Sequence, residues 1–212
     1  EPFIQEGHYK MLNLIIDSGY AKNIHVSYNT NLSYSKFKKY DLTQLWANFK
    51  KVSLWPSVEG YGSRVEYARK GLSWSKFEKH AIMFRKHIQT VSCVINIYSI
   101  TSMPDLIIWC KRNNFDFHGT TQIDPSYQKI TCLPKESKQQ VLSIYKKFIQ
   151  EYSSILTRHD LEQIKNWLSY MTSADESSQL LAFKQETERV DKLRNESFVE
   201  TFPEFASWYE TI

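Results

Sequence analysis

The sequence predicts an α/β fold in which parallel β-α-β units are followed by a helical appendage. Strand and helix signals alternate over the first hundred residues. After one further strand candidate at 129–133, only helical periodicity continues. The composition, 42% hydrophobic and 24% charged over 212 residues, is that of a globular chain that buries a core. The division falls near 124–134, giving one unit at 1–124 and a helical extension at 125–212.

The elements follow in order. Leu12, Ile15 and Ile16 share one face of a helix that stops at Gly19. Ile24–Tyr28 reads as a strand. Leu42, Leu45, Trp46 and Phe49 return to helical spacing, and Lys51–Trp55 reads as a second strand. Ser75-Lys-Phe-Glu78 fits a capping box opening a helix. On that helix Trp74, Phe77, Ala81, Phe84 and Ile88 recur at three and four residues. Thr90–Tyr98, rich in Val and Ile, predicts a long strand, and Ser102, Pro104 and Asp105 start a helix running through Cys110. Lys129–Leu133 is a further strand candidate, and Pro134 opens a helix bearing Val141, Tyr145, Phe148 and Tyr152. Leu161, Ile164, Leu168 and Met171 mark the next helix. Leu180, Phe183, Val190 and Leu193 mark a third, and Phe198, Phe202 and Phe205 predict a docked tail. Connections between parallel strands are right-handed, and ligands gather at the C-terminal ends of such strands. The residues to weigh are therefore Tyr28–Asn31, Pro56–Gly60 and Ile95–Tyr98.

Several function classes find no support. The three cysteines, Cys93, Cys110 and Cys132, have neither a disulfide framework nor a metal-ligand spacing, and read as small buried apolar residues. No apolar run is long enough for a membrane span, and no signal peptide is recognisable. A reducing, cytoplasmic setting is expected. The six histidines form no H-x-x-x-H pair, and His118 alone lies near a strand end. Gly60 and Gly62 lack the third glycine of a phosphate loop. Residues 1–100 carry 14 Lys/Arg against 7 Asp/Glu, and residues 101–212 carry 13 against 16. The basic first half would suit an anionic partner. No basic run exceeds two residues, which argues against nucleic acid.

Taken together, the strand ends resemble the radical S-adenosylmethionine superfamily. Glu1-Pro2 resembles the end of its Gly-Gly-Glu-Pro motif. Asn29-Thr30-Asn31 resembles its Thr-Asn-Gly turn, with Leu32 where glycine is usual. Ser57-Val58-Glu59-Gly60 resembles its Ser-x-Asp-Gly turn, with Glu for Asp. Arg69 stands where the family often places an arginine, and Asn96 where polar residues approach ribose or adenine. Gly19-Tyr-Ala-Lys-Asn23, Leu133-Pro134 and Ser197-Phe198…Phe202-Pro203-Glu204 resemble phage-type members with a C-terminal twitch-like extension.

This resemblance implies a partial (βα) barrel truncated at its N-terminus, at 1–124, and a twitch-like helical extension at 125–212. It implies S-adenosylmethionine as cofactor, with Glu1 on the methionine ammonium and Arg69 on its carboxylate. Asn29, Asn31, Ser57 and Asn96 would then serve the ribose or adenine. It also implies a 4Fe-4S cluster, held through a Cys-x3-Cys-x2-Cys loop that would lie upstream of Glu1. The intact parent would generate a 5′-deoxyadenosyl radical that abstracts hydrogen from an unidentified substrate, a peptide by analogy with extended relatives. This chain alone is expected to be inactive and to bind the cofactor weakly, because the iron that chelates the methionine group lies outside it, and to self-associate through an exposed sheet edge and an uncovered apolar interior. Read without the resemblance, Asn and Ser after strands are ordinary turn residues and Arg69 a surface charge. The alternative function is a non-enzymatic binding module whose basic half docks an anionic partner.

Overall fold

A computed structural model describes residues 1–212. Helix α1 (Glu6–Asp17) leads into strand β1 (His25–Thr30), and a small antiparallel pair, β2 (Lys36–Phe37) and β3 (Tyr40–Asp41), follows. Next come α2 (Leu42–Trp46), β4 (Lys51–Pro56), α3 (Ser63–Ala68), α4 (Trp74–Met83) and β5 (Val91–Ile95). Helix α5 (Met103–Arg112) and strand β6 (Phe117–Thr121) complete the first unit. The rest is helical: α6 (Lys135–Glu151), α7 (Arg158–Thr172), α8 (Leu180–Arg194), α9 (Phe198–Thr201) and α10 (Ala206–Tyr209).

The protein is thus α/β, with short parallel ladders and no closed barrel. β1 pairs with β4, Tyr28 opposite Leu54, and β5 pairs with β6, Cys93 opposite Gly119. Isolated parallel bridges, Leu54 to Ile88 and Ser57 to Ser92, join the two ladders. The strands therefore run in the order β1-β4-β5-β6, with all their C-terminal ends on one side.

Alternation along the strands separates two faces. Tyr28, Thr30, Val52, Leu54, Pro56, Val91, Cys93 and Ile95 are on the covered face. There Tyr28 meets Phe3 and Trp46, and Trp46 meets Phe84 of the turn after α4. The other face carries His25, Ser27, Asn29, Ser53, Trp55, Ser92, His118 and Thr120, most of them exposed or half-buried. The expected apolar interior is corrected here: the open face is mainly polar, and His25 Nε2 lies 2.8 Å from Ser53 Oγ on it. Water satisfies such a surface, so this face gives little hydrophobic drive to association.

The two outer edges differ. On β6, Gln163 of α7 accepts from the Gly119 N–H at 2.9 Å and donates to the Phe117 carbonyl at 3.2 Å. The Trp167 indole N–H donates to the Gly119 carbonyl at 3.1 Å. These side chains take the place of a neighbouring strand. β1 has no such cover. Thr30 gives its carbonyl to Ser57 N–H at 2.8 Å, so alternation turns the backbone groups of Asn29, Ser27 and His25 to the free edge. An uncovered parallel edge is a template for pairing. Concentration-dependent self-association is expected in sedimentation experiments. Ser27→Pro, which removes an outward N–H and leaves the β1–β4 bonds in place, should suppress it. A monomer at all concentrations would show that the edge is inert.

Other elements depart from the sequence expectations. The long strand ends at Ile95 instead of continuing to Tyr98. Asn96 Oδ1 accepts from the N–H groups of Tyr98 and Ser99 at 3.0 and 3.1 Å, which turns the chain. Lys129–Leu133 is not a strand; Ile130–Cys132 form a single 3-10 turn. β6, which the sequence did not announce, supplies the fourth strand. The proposed capping box at Ser75 and Glu78 does not form: the helix begins at Trp74, and Glu78 accepts from the Trp109 indole at 2.6 Å. The capping box that does form pairs Thr157 with Asp160. Leu161 and Leu193 face solvent, at 37% and 73% exposure. The tail docks as expected, with Phe198, Phe202 and Phe205 all buried.

Candidate functional site

The strand ends form a row. Beyond β1, the Glu1 carboxylate accepts from Thr30 Oγ1 at 2.8 and 3.0 Å to its two oxygens, from Asn31 N–H at 2.9 Å and from Phe3 N–H at 3.2 Å. Glu1 therefore closes the end of β1 and caps the turn that follows it. Its acceptor positions are largely taken by these neighbours. The Asn31 side chain is also locally occupied, accepting from Ser33 N–H at 2.9 Å. Leu32 adopts φ +51°, in the left-handed region where glycine is favoured. It is held there by full burial and by the ring of His80, whose Nδ1 donates to the Leu32 carbonyl at 2.6 Å. Asn29 is exposed.

The next turn follows β4. Ser57 is half-buried, and Val58 N–H donates to the Ser92 carbonyl at 2.9 Å, tying this turn to β5. Gly60 has φ +148°, and a Cβ there would approach Ser102 Oγ to 3.2 Å and Val65 N to 3.4 Å. Glycine is required at this position because the turn passes so close to α3 and α5. Glu59, just before it, forms an ion pair with Arg69, the residue that ends α3.

A cleft of about 580 Å³ opens at the ends of β5 and β6. Glu59, Arg69, Asn96, Tyr98, Thr120 and Gln122 are among its walls. Asn96 Nδ2 donates to Gln122 Oε1 at 2.6 Å, and Gln122 Nε2 donates to Gln128 Oε1 at 2.8 Å. This chain of amides fixes both strand ends. Burial pushes the Tyr98 phenol up to about 12, against an opposing hydrogen bond to Thr187, so it stays a neutral hydroxyl at physiological pH. The Cys93 thiol, beneath the cleft, is raised first by burial and then by the nearby Glu59 charge.

Of the six residues singled out by sequence, Arg69 and Asn96 share this cleft. Glu1 and Asn31 meet at the end of β1. Ser57 and Asn29 stand at neighbouring strand ends, outside the cleft wall. Sequence reasoning missed Glu59 and the Gln122–Gln128 pair. Glu59 stands in the Ser57–Gly60 turn, where it reads only as a departure from the usual Asp; Gln122 directly follows β6, a strand the pattern does not reveal, and Gln128 lies in the 3-10 turn Ser126–Gln128. Comparison of the chain with protein-family models, with curated proteins and with solved structures finds no match. No helix is long and apolar enough to cross a membrane.

Proposed function

We propose that the strand-end cleft binds S-adenosylmethionine and that the chain is the C-terminal portion of a radical S-adenosylmethionine enzyme, built as a partial barrel with a helical extension. The observation that carries this reading is the meeting of Arg69 and Asn96 in one cleft at the ends of the parallel strands β5 and β6. The volume lies in the range of small-molecule sites, roughly 300–1,000 Å³. Its donors suit the cofactor: a guanidinium for the carboxylate, and amides and hydroxyls for the ribose and adenine.

Arg69 is one-third exposed, so its guanidinium reaches the ligand while its Glu59 partner fixes its direction. Asn96, anchored through Gln122, presents its amide from a rigid strand end. Ser57, Asn29 and Asn31 border the same row and are proposed as ribose contacts. The cofactor and its cluster supply the radical chemistry when bound; this chain supplies binding and orientation. The cluster itself does not fit these residues. Cys93, Cys110 and Cys132 are each buried, on β5, on α5 and in the turn before α6. The reading therefore assigns the cluster to residues outside this chain. A peptide is proposed as substrate class, by analogy with extended relatives.

The test is calorimetric titration of S-adenosylmethionine into wild-type chain and Arg69→Ala. Loss of one charge-assisted contact removes about 1.5–3 kcal/mol, so affinity should fall roughly tenfold to a hundredfold. Equal affinity in both proteins would remove Arg69 from the site. If the chain instead binds anionic polymers with steep salt dependence and ignores this cofactor, the non-enzymatic binding module is the correct function.

A further inference from the structure

We infer that a second cleft, at the N-terminal end of the sheet, docks an acidic peptide segment of a partner protein. The segment seats one apolar side chain on the cleft floor and sets its carboxylates against Lys50, Lys51 and Lys86. This is independent of the cofactor reading, because the cleft lies at the opposite end of the strands from Arg69 and Asn96. Of the fourteen Lys and Arg in residues 1–100, six pair with a carboxylate. Lys50, Lys51 and Lys86 are not among those six, and all three line one cleft of about 430 Å³. No acidic residue belongs to its wall. Burial lowers the His87 imidazole from its ordinary value, so the lysines set the charge of this wall. Like charges held together repel, and a partner of opposite sign relieves that repulsion.

The backbone holds these lysines in place. Lys51 opens β4, and the Lys50 N–H just before it donates to the Ala21 and Ile24 carbonyls at 3.2 and 3.1 Å. Lys86 stands in the turn between α4 and β5, where the His87 carbonyl accepts from Leu54 N–H at 2.8 Å. The Trp46 ring braces that turn, 5.0 Å from the Phe84 ring and 5.5 Å from that of His87 between centroids. The floor decides which kind of anion fits. Met83 is 47% exposed and offers an adaptable apolar contact, with Ala47 on the same wall. Trp46, Phe49 and Phe84 also line the cleft but are buried, so no ring stands out for a nucleic-acid base to stack on. An acidic peptide with one apolar side chain matches both features, an apolar contact at the centre and charge at the rim.

The experiment is fluorescence anisotropy with a short labelled peptide of Asp and Glu around one central Leu. Its binding to the full chain should saturate and weaken as salt is added. Lys50→Gln, Lys51→Gln and Lys86→Gln together should lower the affinity roughly tenfold. The same charge removed elsewhere, by Lys146→Gln, Lys147→Gln and Lys165→Gln on α6 and α7, should leave it nearly unchanged. All six side chains are exposed, so both triple variants should keep the wild-type melting temperature. Met83→Ser should weaken the peptide about threefold or more and leave a peptide with Ser in place of its Leu unaffected. Equal loss in the two triple variants would reduce the effect to net charge and overturn the site. Tighter binding of an oligonucleotide of equal charge, lost in the cleft variant, would make this a nucleic-acid surface and overturn the peptide assignment. Indifference to both Met83→Ser and the missing Leu would overturn the apolar seat. Absence of any peptide binding at low salt would overturn the whole inference and leave the cofactor reading untouched.

Discussion

Phe198→Ala should destabilise the protein by about 3–5 kcal/mol, the range for truncating a fully buried Phe. The ring is 1% exposed. Its centroid lies 4.9 Å from that of Phe202, 4.6 Å from Tyr209 and 5.4 Å from Phe183. The tail it anchors reaches the candidate site through two routes. Tyr98, on the cleft wall, meets Phe198 at 6.0 Å and Phe183 at 5.3 Å. Asp191 of α8 accepts from the Phe198 N–H at 2.8 Å and from the Tyr67 hydroxyl at 2.7 Å, two residues before Arg69. Urea unfolding followed by fluorescence gives the free-energy change. Loss of cleft binding should accompany it, because α3 and Tyr98 lose the same support. A change below about 1 kcal/mol would mean that the aromatic cluster repacks without this ring.

The helices were legible because their periodicity is strong. Phe77, Ala81 and Phe84 are buried on one face as the spacing predicts, and so are Val141, Tyr145 and Phe148. β1 and β4 were legible from their composition. β6 was not, since Phe117-His-Gly-Thr-Thr121 has few apolar residues and its stabilising partners come from α7, more than forty positions later. Gly119 lies against the Trp167 ring, where a Cβ would clash and also meet Ile95 Cδ1 at 3.0 Å. Nothing local in sequence signals a glycine kept for that reason. Ile130, Thr131 and Cys132 misled in the opposite way: all three are buried, and a continuous buried run gives no period by which to tell strand from turn. At the site, the turns after β1 and β4 were readable one by one. Which acid stands next to Arg69 was not, because that depends on the closure of the Glu59–Gly60 turn onto α3.

Iron and sulfide reconstitution of this chain should leave it without a cluster, and with reductant and S-adenosylmethionine it should release no 5′-deoxyadenosine. A cluster needs deprotonated sulfur, and burial raises the thiols of Cys93, Cys110 and Cys132, each with burial as the largest cause. Cys93 and Cys110 are 2% and 0% exposed and belong to the buried apolar core. Cys93 lies on the covered face of the sheet, on β5 between β4 and β6. The binding test and this one are independent. A chain that binds the cofactor through Arg69 and yet holds no iron is the expected pairing, and it would separate recognition, proposed for these residues, from radical generation, assigned to residues outside the chain. Stoichiometric iron in the reconstituted chain, or 5′-deoxyadenosine above a no-protein control, would instead place the cluster on these cysteines and require a fold more open than this one.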